Sequence, residues 1–215
     1  MAPPSSPVLV YGFDPLCGWC FAFRGVLREL REVLGDTVQW ELACGGLVVG
    51  EREQPIGQMA QYLLEGEKIL QQRAGISYGS GFRDGLLANG SWVSRSEPPC
   101  RAVLHAQELF GGRDALALGD ELVRGFYEDG LPPDQEETLR RAAEKVGLDA
   151  AALLQHWREG PAATAGAMFA ARQLGVRTYP SLFVRNGAML QPIYEGFAPA
   201  AELRETVTQA LGGLS

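Results

Sequence analysis

Val8-Leu-Val-Tyr-Gly-Phe-Asp-Pro-Leu-Cys-Gly-Trp-Cys-Phe-Ala-Phe23 decides how the rest of the chain is read. Val8 to Phe13 is apolar and rich in β-branched and aromatic residues, the composition of a strand buried on both faces. Asp14-Pro15 breaks it. From Cys20 onward Phe23, Val26, Leu27, Leu30, Val33 and Leu34 recur at helical spacing, and Gly35-Asp36 supplies a stop. Cys17 and Cys20 therefore fall on the first turn of a helix that follows a buried strand.

That position carries chemistry. The first N–H groups of a helix lack intrahelical acceptors and the macrodipole is positive there, so a thiolate is favoured over a thiol. Cys17 is the expected attacking sulfur, more exposed and more acidic than its partner. Cys20 returns one turn later, close enough to attack a mixed disulfide on Cys17 and release the bound group. A Cys-x-x-Cys on a strand-to-helix turn thus reads as a redox pair. Two inert core thiols would account for Cys20 but not for a helix-opening Cys17. A zinc site would need two further ligands, and Cys44, Cys100, His105 and His156 do not share the required spacing, so no metal site is expected.

At 215 residues with 46% hydrophobic content the chain can bury a full core, and disorder is excluded. A net charge of −7 gives no electrostatic footprint for nucleic acid or an anionic membrane. Apolar runs are too short to cross a bilayer. Met1-Ala-Pro-Pro-Ser-Ser-Pro7 has neither the basic region nor the apolar core of a secretory signal, and four cysteines do not make a disulfide-stapled scaffold. The expected compartment is the cytoplasm, with protein or small-molecule thiols and disulfides as partners.

Val38 to Ala43 alternates apolar and polar residues and reads as a second strand running into Cys44-Gly45-Gly46, completing a right-handed βαβ unit. Strand signals then stop for a long stretch. Pro55 fits the first position of a helix carrying Ile56, Met59, Ala60, Leu63, Leu64 and Leu70. Gly75 to Gly90 is glycine-rich and reads weakly. Ser96-Glu-Pro-Pro99 opens another helix, with Val103, Ala106 and Phe110 on its face, and Asp114 to Tyr127 forms the next. Asp134 with Glu137 resembles a capping box ahead of Leu139, and further helices start at Asp149 and Pro161. Two strands then flank Asn186-Gly187, a hairpin signal, and Pro199 opens a final helix. The order is βαβ, a helical block, then ββα. Residues 1–50 and 161–215 are expected to form the sheet unit and residues 51–160 an all-helical insertion that packs on it, covers one side of the cysteines and leaves a groove.

Asp14-Pro-Leu-Cys-Gly-Trp-Cys20, paired with Gly175-Val-Arg-Thr-Tyr-Pro-Ser-Leu-Phe-Val184, resembles the DsbA-like thiol–disulfide oxidoreductases, most closely their cytoplasmic FrnE-like branch. The resemblance covers essentially the whole chain. It implies an α/β, thioredoxin-like fold interrupted by a large helical domain, and a cis bond before Pro180 that turns the backbone of Tyr179 toward Cys17 for substrate pairing. Gly18 and Trp19, between the cysteines, complete the implied substrate-binding set. The chain departs from better-known relatives in three ways. Gly18-Trp19 offers no His to stabilise a thiolate. Tyr11 stands where thioredoxins place a buried acid, leaving Glu41 as a candidate substitute. An aromatic Tyr179 precedes the proline.

The reading is a protein-disulfide oxidoreductase or isomerase with Cys17 as nucleophile and Cys20 as resolving thiol. No cofactor is tightly bound, and glutathione is a candidate co-substrate. The first alternative is a glutathione-dependent isomerase or transferase acting on a small molecule, like the kappa-class transferases and hydroxychromene-carboxylate isomerases, which need no resolving thiol. The second is a peptide-binding module needing neither sulfur. Trp19 reads either as an exposed partner contact or as a ring folded onto the helical block. Cys100, in the first turn of a helix, is a candidate for a lowered pKa.

Overall fold

The computed structural model describes residues 6–212. Met1 to Ser5, on which the secretory-signal reading partly rests, and Gly213 to Ser215 lie outside the described residues. The fold is mixed α/β, thioredoxin-like, with a helical insertion. Its sheet has four strands in the order β2-β1-β5-β6, namely Gln39–Cys44, Val8–Phe13, Ser181–Asn186 and Met189–Glu195. β1 runs parallel to β2 and antiparallel to β5, and β5 is antiparallel to β6.

The apolar run of β1 is explained by its central place, since side chains on both faces must be covered. Leu9, Tyr11 and Phe13 join the main core with the buried residues of α1 (Gly18–Leu34) and with Leu203 and Val207 of α8 (Ala200–Gly212). Val10, on the other face, packs with Phe183, Leu190, Val176 and Ala171 of α7 (Pro161–Gln173). The helical stripe of α1 is buried as its spacing predicts, except for Val33, which is 57% exposed on the outer side of the last turn. Pro192 occupies β6, an edge strand, where a missing N–H is tolerated. The β5–β6 turn is displaced by one residue from the expected Asn186-Gly187. Asn186 still pairs with Met189, and the loop is Gly187-Ala188. Gly187 has φ +57 and Ala188 does not have positive φ, the pattern of a II′ turn rather than I′.

Between β2 and β5 come α2 (Ala60–Ala74), a π-helical segment (Gly81–Leu87), α3 (Glu97–Phe110), α4 (Gly112–Asp129), α5 (Glu136–Lys145), α6 (Ala150–Glu159) and α7. α3, α4 and α7 all pack on β2, and α4 also packs on α1. The apolar face at Val103 and Ala106 is fully covered. The free edge of β2 is closed by one side chain: Gln107 Oε1 accepts from the Leu42 N–H at 2.6 Å while its Nε2 donates to the Leu42 carbonyl at 3.4 Å. An amide thereby stands in for the missing neighbouring strand and blunts an edge that would otherwise invite pairing.

Several local expectations give way to long-range contacts. Pro55 does not open a helix. It lies in a two-residue strand, β3 (Gln54–Pro55), paired with β4 (Val93–Ser94), and a 3-10 turn over Ile56–Met59 leads into α2. Leu64 is 40% exposed rather than on the buried face. The capping box at Asp134 and Glu137 does not form, because the Asp134 carboxylate instead accepts from Trp92 Nε1 at 2.9 Å and Gln135 precedes α5 without a side-chain cap. The weakly read Gly75–Gly90 stretch becomes the π-helical segment, held by Phe82, which is fully buried against the rings of Tyr78, Phe126 and Tyr127.

Candidate active site

The site is built on a turn. Asp14 ends β1 by folding its own side chain back: Oδ1 accepts from the Leu16 N–H at 2.9 Å, and its carbonyl accepts from the Cys17 N–H at 3.0 Å. This is the local habit of Asp before a helix. The same carboxylate then reaches outward. Oδ2 accepts from the Leu47 N–H at 2.6 Å, Ser96 Oγ donates to Oδ1 at 2.9 Å, and the Cys100 thiol approaches Oδ2 at 3.8 Å. Ser96 opens α3 as expected, but its side chain does not cap the helix and accepts from the Val48 N–H at 2.9 Å. One fully buried acid therefore ties the start of α1, the loop after β2 and the start of α3 together. Burial pushes its carboxyl above the usual range, with the donors from Leu47, Leu16 and Ser96 opposing that rise. Sequence reading treated Asp14 as a strand breaker. The Asx-turn habit was the available signal, but its partners at positions 47, 96 and 100 leave none.

Cys17 is the N-cap of α1: its sulfur accepts from the Cys20 N–H at 3.3 Å, and its carbonyl accepts from the Phe21 N–H at 3.1 Å. The Cys17 thiol also faces the Tyr179 carbonyl at 3.5 Å, and the Tyr179–Pro180 bond is cis. Cys17, expected to be the more exposed sulfur, is itself enclosed at 5% exposure and Cys20 is buried at 1%, but only Cys17 lines the neighbouring cavity. Cys20 lies behind it. Burial, then the Cys17 sulfur, pushes the Cys20 thiol well above the ordinary thiol range. The side chain beside Cys20 is Tyr11, whose own hydroxyl burial and Cys20 hold above the usual phenol range. Glu41, the candidate substitute for a buried acid, is instead engaged by Arg185, whose Nε donates to it at 2.9 Å.

A cavity of about 640 Å³ opens beside Cys17. Leu16 to Trp19 form one wall, Ile56, Leu63, Leu70 and Tyr78 another, and Thr178 and Tyr179 a third. The helical segment thus leaves a groove facing the loop before Pro180. Gly18 is explained by this closure, because a Cβ there would come within 2.8 Å of the Tyr78 hydroxyl and 3.4 Å of Leu70 Cδ1. Tyr127 fixes the same turn by donating to the Leu16 carbonyl at 2.7 Å, with its ring stacked on Tyr78 at 4.7 Å. Trp19 is half-buried. Its ring lies 5.7 Å from that of Phe197, before α8, and lines the cavity.

Cys100 does not have the lowered pKa that its helix position suggested. Burial, then Cys44 beside it, pushes the thiol well up. All four cysteines are free. Neither histidine lines the cavity. His105 Nδ1 meets Glu108 at 3.0 Å, and His156 Nδ1 meets the Ala152 carbonyl at 3.0 Å. Among the described residues no group of three or more His, Cys, Asp or Glu is arranged to hold a metal ion, and no helix is long and apolar enough to cross a membrane.

The sheet order, the cysteine turn and the loop at Tyr179 invite comparison with solved structures. The chain has the DsbA-like fold. The cytosolic disulfide reductase DsbM from Pseudomonas aeruginosa superposes with a TM-score of 0.78 at 27% identity, covering 95% of this chain and 98% of that one. A structure of DsbM with GSH, glutathione, gives 0.75 at 27% identity, covering 95% and 99%. A protein from Nitrosomonas europaea, named as a candidate disulfide isomerase, gives 0.82 at 22% identity, covering 98% and 100%. Neither a protein-family model nor a curated protein matches the sequence.

Proposed function

We propose that the chain is a thiol–disulfide oxidoreductase in which Cys17 is the nucleophile and Cys20 the resolving thiol. The observation that carries this reading is the placement of the Cys17 sulfur: it caps α1, lines the cavity, and faces the Tyr179 carbonyl at 3.5 Å. N–H groups at a helix start favour the thiolate that attack requires. The Cys17 thiolate attacks one sulfur of a substrate disulfide, forming a mixed disulfide and expelling the other sulfur as a thiolate that takes up a proton. Cys20, after giving up its proton, attacks the Cys17 sulfur and expels the second thiol. The substrate gains two electrons and the cysteine pair loses two. Two molecules of a small thiol such as glutathione restore the pair by the reverse exchange and leave as their own disulfide.

In this reading Gly18, Trp19 and Tyr179 line the substrate site and Pro180 holds the Tyr179 carbonyl toward Cys17. Residues 1–50 and 161–215 supply the chemistry, and residues 51–160, of which Tyr78 and Leu70 press on the cysteine turn, shape access to it. Likeness to a cytosolic reductase and to its complex with GSH supports reduction in the cytoplasm with glutathione as co-substrate, as in the FrnE-like branch. Turnover of a small disulfide by wild type and by Cys20→Ser tests the proposal. Wild type turns over repeatedly. Cys20→Ser stops at a mixed disulfide on Cys17, visible by mass spectrometry. Undiminished multiple turnover by Cys20→Ser would sink the resolving role and favour a glutathione transferase.

A further inference from the structure

The cavity beside Cys17 carries an unusual charge pattern for so acidic a chain. Its wall is mostly apolar and aromatic, and among the described residues the only charged side chains lining it are Arg52 and Arg177, with no Asp or Glu, in a protein whose net charge is −7. The two arginines come from separate segments, Arg52 from the segment before β3 and Arg177 from the loop before Tyr179. Among the described residues neither makes an ion pair. Each guanidinium reaches only a backbone carbonyl, Arg52 that of Gly46 and Arg177 that of Arg172, both at a weak 3.4 Å. By contrast Arg24, Arg124 and Arg158 are each saturated by carboxylates. Among the described residues Arg28, Arg31, Arg73, Arg172 and Arg204 also lack a carboxylate partner, but only Arg52 and Arg177 line a cavity with a nucleophilic sulfur in its wall, which leaves their guanidinium forks open to an incoming carboxylate there.

We infer that the cavity takes the glutathionyl half of a disulfide, with Arg52 and Arg177 as the specificity-determining cations that bind its two terminal carboxylates while its sulfur meets Cys17. This rests on the thiol–disulfide reading above. A volume of about 640 Å³ accommodates a tripeptide. A tripeptide carrying two carboxylates and a sulfur matches a groove whose wall presents two cations and a thiol. Cys17 attacks the glutathionyl sulfur, the other half leaves as a thiolate and is protonated, and Cys20 then releases glutathione, so the substrate gains two electrons and the cysteine pair loses them.

The test compares three disulfides that differ in charge, each mixed with the pre-reduced full-length chain in stopped flow: glutathione disulfide, neutral hydroxyethyl disulfide and cationic cystamine. Wild type should prefer them in that order, and added salt should compress the preference. Arg52→Gln and Arg177→Gln should each lower the ratio of the glutathione disulfide rate constant to the neutral one by roughly fivefold, the size of one exposed charge contact. Arg→Lys at either position should restore most of the ratio. An unchanged ratio in the double Gln variant, or cystamine reacting as fast as glutathione disulfide with wild type, overturns the inference. So does a uniform fall with all three reagents that lysine does not rescue, since the arginines would then act through the fold. Failure of wild type to react with any of the three disulfides instead overturns the thiol–disulfide reading itself.

Discussion

Cys17 and Cys20 stand at the start of α1 beside an open cavity, whereas Cys44 and Cys100 stand at the end of β2 and in the first turn of α3 and do not line that cavity. Both pairs have sulfur at a helix start. Only the Cys17 sulfur accepts an N–H of its own helix start, that of Cys20, while Cys100 is directed at the Asp14 carboxylate and Cys44. A helix terminus lowers the cost of a thiolate only where the sulfur points at the free N–H groups and burial does not outweigh them. At Cys100 burial wins, and a neighbouring acid adds to it. The Asp14 carboxylate lies between the pairs and holds the reactive turn through its N–H donors while touching the inert thiol.

The largest contrast should appear in activity. Cys17→Ser should lower disulfide exchange by about three orders of magnitude or more, as loss of a nucleophile does. Cys100→Ser should leave the rate within about twofold, because that sulfur does not line the cavity beside Cys17. Comparable losses from both, with folding intact by circular dichroism, would erase the distinction between the pairs.

Alkylation sharpens it next. In the native reduced chain iodoacetamide should modify Cys17 first, while Cys44 and Cys100 react only through local opening and remain at least about a hundredfold slower. Peptide mapping after timed quenching reads the order. Early labelling of Cys100 would place it on the reactive side.

pH separates the two steps of the reactive pair. Because the Cys20 thiol is held well above the ordinary range, it is protonated near neutrality and its thiolate fraction grows about tenfold per pH unit until its own pKa is reached. Resolution of a preformed Cys17 mixed disulfide should therefore accelerate with that slope. A rate flat from pH 7 to about 9 would mean that Cys20 loses its proton earlier than its burial dictates.

The smallest effect lies in stability. Cys100 keeps its proton in the folded chain at pH values where the unfolded chain, near the ordinary thiol pKa of about 8.5, has lost it. The folded state then binds more protons, so the stability this thiol contributes is complete below about pH 8.5 and is lost as pH rises toward the raised folded value. Cys100→Ala should cost about 1–2 kcal/mol at neutral pH and flatten the alkaline decline in urea midpoint. An alkaline decline unchanged by the substitution would assign it to other groups.

Much of the reactive half of this comparison was legible before any contact was known. A buried strand, a Pro break and a cysteine spacing of one helical turn are all local. They depend on backbone preferences within a few residues, and those act before distant segments meet. The resemblance of the two separated motifs added the loop at Tyr179 and Pro180, which the fold brings to Cys17. Where local signals were weak or contested, packing overrode them. Asp134 lost its capping role to Trp92 Nε1, Ser96 turned to Asp14, and Glu41 was taken up by Arg185 from a strand far along the chain.

By itself the sequence determined the order of the four main-sheet strands and of the long helices, the central strand, the helix-opening cysteines and the class of chemistry they suit, because periodicity and helix ends are properties of neighbouring residues. Tertiary structure alone decided that Asp14 joins three segments, that Tyr78 and Leu70 close over Gly18, that Gln107 seals the edge of β2, and that Arg52 and Arg177 share one cavity. Burial, pairing and shared access depend on which distant side chains are packed together, and no spacing along the chain encodes that.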